Sequence, residues 1–100
     1  MNLFTPTQLP EPGSEFFEIL HQNEHMKIER ITSNGLNQGE WYDQEHDEWI
    51  SLLQGEATLE FEQGKKELIA GDTLLIEKHQ RHRVWQTSSD AIWLAVHLNS

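Results

Sequence analysis

Apolar and polar positions alternate along much of this chain with the period of two that a half-buried strand requires. Ala57, Leu59 and Phe61 interleave with Thr58, Glu60 and Glu62, and Gln63-Gly64-Lys65 then supplies a hairpin turn. His82-Arg83-Val84-Trp85-Gln86-Thr87 alternates in the same way, and Ser88-Ser89-Asp90 turns the chain into the apolar run Ala91–Leu98. Thr73-Leu74-Leu75-Ile76 reads as a nearly continuous buried strand. Upstream, Phe16–Leu20 and Met26–Ile31 are two further strands, punctuated afterwards by Ser33-Asn34-Gly35 and Asn37-Gln38-Gly39, residues that tolerate positive φ. No window carries an apolar stripe at helical spacing. About eight to ten short strands with turns every 8–12 residues predict an all-β sandwich or barrel.

Residues 1–14 hold all three prolines and close on Pro12-Gly13-Ser14, so they are expected to form an extended arm rather than a packed element. Residues 15–100 then form one domain, small enough that dimerisation or a bound metal is a usual source of added stability. Phe16–Leu20, the arm and outward-facing tryptophans point to an apolar patch and a homodimer.

The chain has no cysteine, which excludes disulfides, thiolate zinc sites and iron–sulfur clusters. Any metal must be held by His, carboxylate or amide groups, a set that suits borderline to hard ions. Seven Lys and Arg against 17 Asp and Glu argue against nucleic acid as a partner. Lys78, Arg81 and Arg83 are the one local cluster of cations, read as a solvated strand edge. No apolar run approaches the roughly 18–20 residues of a membrane span, and the N-terminus has no signal-peptide pattern. A cytoplasmic, soluble protein with a small-molecule ligand is the expectation.

Chemistry concentrates in Asp43-Gln44-Glu45-His46-Asp47-Glu48 and in His79-Gln80-Arg81-His82. Side chains two apart share a strand face, so a strand running from Gln44 points Gln44, His46 and Glu48 together. His82 or His79 from the second group would complete a three-ligand metal site with room for water or substrate. The competing reading is a surface or hydrogen-bonded histidine, with Glu48 balancing Arg81 or Arg83.

From Gly35 to His97 the chain resembles the cupins, small double-stranded jelly rolls whose motifs are G-x5-H-x-H-x3/4-E-x6-G and G-x5-P-x-G-x2-H-x3-N. Glu48 is followed after six residues by Gly55, and Gly71 opens a second-motif match with Glu77 at the proline, His79 at the glycine, His82 at the histidine and Gln86 at the asparagine. The H-x-H positions fall on Tyr42 and Gln44, or on Trp41 and Asp43, depending on the spacing chosen. The resemblance implies a β-helical jelly-roll barrel. It also implies a divalent metal (Zn, Ni, Mn or Fe) on Glu48 and His82, with Asp43 or Gln44 as a third oxygen donor. His46, outside the motif, joins this set by its shared face with Glu48.

Tyr42 and Trp41 are expected at the barrel mouth, with Asp43, Gln44 and His79 as further pocket candidates. Trp49 and Trp85 are expected on the exterior, His97 in a structural role, and His21 and His25 in solvent. Three functions follow. The first is a metal-dependent isomerase, lyase or dioxygenase on a small organic molecule. The second is a metal-free module binding a sugar or carboxylic acid. The third is metal-independent acid–base catalysis, with His82 as base oriented by Glu48 or Asp43.

Overall fold

The computed structural model describes residues 1–99 and consists of eight antiparallel strands in two facing sheets. In chain order they are β1 (Ser14–Gln22), β2 (Met26–Asn34), β3 (Asp47–Gln54), β4 (Glu56–Phe61), β5 (Gly64–Ile69), β6 (Thr73–Ile76), β7 (His82–Thr87) and β8 (Ala91–Leu98). One sheet has the order β1-β2-β8-β3-β6 and the other β5-β4-β7. This is the jelly roll that the strand pattern and the motif spacing predict. No helix among the described residues is long and apolar enough to cross a membrane.

The inward positions of the alternating strands meet between the sheets. Ile50 and Leu52 of β3, Leu59 of β4, Leu68 of β5 and Trp93 of β8 are all buried in one cluster, with Ile31 and Val84 packed against it. Gly55 lets the chain step from β3 to β4, and so from one sheet to the other. Its φ is +85°, and a Cβ there would press on the Ser88 hydroxyl, 2.9 Å from Asp90 Oδ1 and 3.0 Å from Ala91 Cα. The motif glycine is therefore a steric requirement of the sheet crossing.

Two expectations change. β6 is not buried throughout: Thr73 and Leu75 are exposed while Ile76 is buried. It is an edge strand paired only with β3, so one face of it looks outward. The N-terminal segment is also docked rather than merely extended. Arg30, 1% exposed, lies on the face of β2 turned away from the core. It grips Glu18 of β1 through Nε and Nη2 at 2.7 and 2.9 Å, and its Nη1 donates to the carbonyl oxygens of Asn2 and Leu3. Thr7 donates to the same carboxylate, and Asn34 Nδ2 donates to the Pro10 carbonyl. One bidentate ion pair thus ties β1, β2 and the arm into a single layer.

The Arg30 guanidinium holds the Glu18 carboxyl down from 4.5 to about 2. Because the folded value is depressed, the stabilisation is complete above the unfolded value and is lost as pH falls through about 2. Acidification across that window should release the arm, detected as new acid-protease cleavage before Ser14. Arg30→Ala should release it at neutral pH and cost about 3–5 kcal/mol in thermal unfolding.

Candidate functional site

Register across the larger sheet sets the site. Lys27, His97, Glu48 and Ile76 stand in one row across β2, β8, β3 and β6. The next inward row reads Glu29, Ala95, Ile50 and Leu74, and the one after it begins Ile31, Trp93 and Leu52. Polar side chains therefore crowd one end of the sandwich, and apolar ones close the other. The facing sheet contributes His82 and Val84 from β7 and Leu59 from β4.

Before β3, the chain runs irregularly beside β7. Gln38 and Gly39 donate to the Trp85 and Val84 carbonyls, and Tyr42 and His82 exchange backbone bonds of 2.7 and 3.1 Å. This brings Tyr42, Gln44 and His46 onto the wall of a cavity of about 410 Å³. No strand includes Gln44 or His46, yet both face the cavity with Glu48.

Two hydrogen-bonding systems occupy the polar end. In one, Glu29 Oε1 lies 2.7 Å from His97 Nε2, and His97 Nδ1 lies 2.8 Å from His46 Nε2. In the other, His82 Nδ1 is 2.9 Å from the Gln80 carbonyl, which can only accept. A neutral His82 therefore carries its proton on Nδ1 and presents a bare Nε2. That nitrogen stands 3.8 Å from Glu48 Oε1, beyond hydrogen-bond distance, and Glu48 Oε2 is again 3.8 Å from His97 Nε2. The buried Gln44 Oε1 has no partner among the described residues.

Burial, with the neighbouring carboxylates of Glu15, Glu40, Glu48 and Glu29, pushes the Tyr42 phenol up and keeps it protonated. Burial pushes His46 down, helped by His97 and Lys27 and opposed by Glu48 and Asp47. Glu15, mainly through burial, is pushed up.

The sequence candidates divide cleanly. Tyr42, Gln44, His46, Glu48 and His82 line the cavity. Asp43 and His79 do not: they pair with each other at 2.9 Å on the exterior, 58% and 62% exposed. Arg83 pairs with Glu60, which leaves Glu48 to the pocket. Sequence reasoning missed Glu29 and favoured a structural role for His97, with a barrel-interior position near the site as the alternative. The face that His97 shares with Trp93 and Ala95 was a usable signal, but Glu29 sits among Lys27, Arg30 and Ile31 with nothing to mark it.

The cupin domain model matches residues 30–97. The chain belongs to the cupin family. A Ralstonia eutropha protein provisionally named a mannose-6-phosphate isomerase is 38% identical, with 100% of this chain and 97% of that one covered and a TM-score of 0.89. A cupin superfamily protein from Desulfitobacterium hafniense is 21% identical over 91% of this chain and 83% of its own, with a TM-score of 0.80. KdgF from a Halomonas species is 20% identical over 100% and 94%, with a TM-score of 0.77. The last two show the fold alone. No curated protein matches the chain.

Cupins often hold a divalent metal, and the cavity shows what this cupin has at those positions. Tyr42 and Gln44, rather than Trp41 and Asp43, take the two H-x-H places, because they and not their neighbours line the wall with Glu48 and His82. A protonated phenol and a neutral amide thus stand where imidazoles would bind. His46 does not compensate, since it does not converge with two further His, Cys, Asp or Glu side chains among the described residues. Among the described residues, no three His, Cys, Asp or Glu side chains converge as metal donors. The donor set does not fit a resident divalent metal.

His79, at the motif glycine, has a φ of +63°, the left-handed region. Its amide donates to the Gln44 carbonyl at 2.7 Å, so the residue shapes a turn behind the pocket wall. His79→Gly should stay within about 1 kcal/mol of the wild type in thermal unfolding, because relief of the backbone offsets the lost exposed pair. The β-branched His79→Val should lose more than about 1 kcal/mol.

Proposed function

We propose that this cupin binds a small, neutral, hydroxyl-rich molecule of sugar type inside the barrel, without a resident metal. The carrying observation is a pair of acceptors on the cavity wall with no donor between them. Glu48 Oε1 and His82 Nε2 stand 3.8 Å apart, beyond hydrogen-bond distance. Acceptors left without a donor in such a site are costly, and ligand hydroxyl groups would satisfy both. Glu15, Glu29 and Glu48 outnumber Lys27 on the wall, which disfavours a carboxylic acid. Ile50, Leu59 and Trp93 form an apolar floor for the C–H face of a sugar ring. The provisional name of the Ralstonia relative, a mannose-6-phosphate isomerase, shares the sugar part of this reading but not its neutral charge.

The test is saturation-transfer NMR on metal-stripped protein in EDTA, with mannose, glucose and fructose set against small carboxylates. Sugar binding should persist in EDTA, and Glu48→Gln should weaken it about 10- to 100-fold. Binding that needs added Zn²⁺, Ni²⁺, Mn²⁺ or Fe²⁺, or a preference for the carboxylates, would overturn the reading.

A homodimer is proposed on separate grounds. Phe17 and Ile19 of the edge strand β1 are 50% and 58% exposed, an apolar strip on an open sheet margin. Light scattering should give twice the chain mass, and a monomer mass at every concentration would contradict it.

A further inference from the structure

We infer that Glu29, His97 and His46 form a proton relay that makes His46 a base toward the bound ligand. The inference rests on the sugar-binding reading and adds a reaction to it.

The tautomers follow from the bonding. A carboxylate at Glu29 accepts, so His97 donates through Nε2–H across 2.7 Å. A neutral His97 then has a bare Nδ1, which must accept, and the group 2.8 Å away is His46 Nε2. His46 is thereby protonated on Nε2 and left with a lone pair on Nδ1. Among the described residues no protein group bonds that nitrogen, while His46 lines the cavity. One buried carboxylate thus sets the proton positions of two rings in series. His82 is oriented separately, by the Gln80 carbonyl.

Such a base suits an open-chain sugar. His46 Nδ1 takes the proton from the carbon beside the carbonyl. The C–H electron pair becomes a C=C bond, and the carbonyl π pair moves onto oxygen to give an enediolate. The Tyr42 hydroxyl and the Gln44 amide N–H are donors available to that oxygen on the same wall. Meanwhile the Nε2 proton of His46 can shift to His97 Nδ1, which places the positive charge against Glu29. The Tyr42 hydroxyl then gives its proton to the enediolate oxygen and takes the proton of the neighbouring hydroxyl, whose carbon becomes the new carbonyl while the C=C pair takes the proton back from His46 Nδ1 at the former carbonyl carbon. This completes an aldose–ketose isomerisation, with no oxidant or metal in the balance. His46 is the catalytic residue, and His97 and Glu29 are positioning residues.

The experiment has two arms on the full chain. ¹⁵N NMR of the imidazoles at neutral pH should show His97 and His46 protonated on Nε2 and His82 on Nδ1. Glu29→Gln should erode that preference at His97 and His46 while leaving His82 unchanged. In D₂O, with mannose and fructose as probes, wild-type protein should place deuterium at the carbon beside the carbonyl. His46→Gln should abolish this, and Glu29→Gln should slow it at least tenfold, both with sugar binding by saturation transfer within about threefold. A purely structural role for Glu29 would not separate exchange from binding in this way. Wild-type binding without exchange, or a His46 ring protonated on Nδ1, would overturn the relay and leave the binding reading standing. Failure of every probe sugar to bind would overturn both.

Discussion

The insertion of β8 between β2 and β3 is the constraint from which the pocket follows. Two ladders of backbone hydrogen bonds fix its register on both sides, so Lys27, His97 and Glu48 cannot slide relative to one another. A slip of one residue would turn all three to the opposite face and bring Arg30, Leu94 and Trp49 out of place as well. The same register puts small Ala95 beside Glu29, which leaves room for that carboxylate to reach His97 diagonally. The site is therefore only as secure as the sheet pairing. That security comes from the apolar rows beyond it, where Ile50, Leu52 and Trp93 are buried.

The sheets are unequal, five strands against three, and this leaves the polar end of the sandwich open. Charges need that opening, because buried ionisable groups are tolerated only when paired or partly hydrated. In this cupin each cavity histidine bonds a neighbour through at least one ring nitrogen. His97 bonds Glu29 and His46, and His82 bonds a backbone carbonyl. What remains without a bonded partner between the two sheets is the facing pair of Glu48 Oε1 and His82 Nε2, 3.8 Å apart.

On the reverse side of the larger sheet, Arg30 shows how a buried charge can organise a fold. Its donors are divided between the Glu18 carboxylate and the carbonyls of Asn2 and Leu3. An arginine placed there without Glu18 and the arm would be a buried unpaired cation, so the arm belongs to the fold despite its three prolines.

Period-two alternation from Ala57 to Phe61 and from His82 to Thr87, together with the Glu48–Gly55 spacing, was enough to read the architecture and to point to Glu48 and His82, which line the cavity. Strand period and glycine-dependent crossings are local properties, so they are written in local sequence. The exposed face of β6 was not legible, because its run of apolar residues does not reveal that only one side is paired. His79 was read as chemistry, while its place at the motif glycine was the mark of the left-handed φ it adopts. Glu29 and its bond to His97 could not be read at all. The two residues lie 68 residues apart and meet only because β2 and β8 pair in one register. The sequence by itself determined which residues alternate and where the chain must turn. Tertiary structure decided which polar groups share a proton, because hydrogen-bond partners are chosen by register and not by distance along the chain.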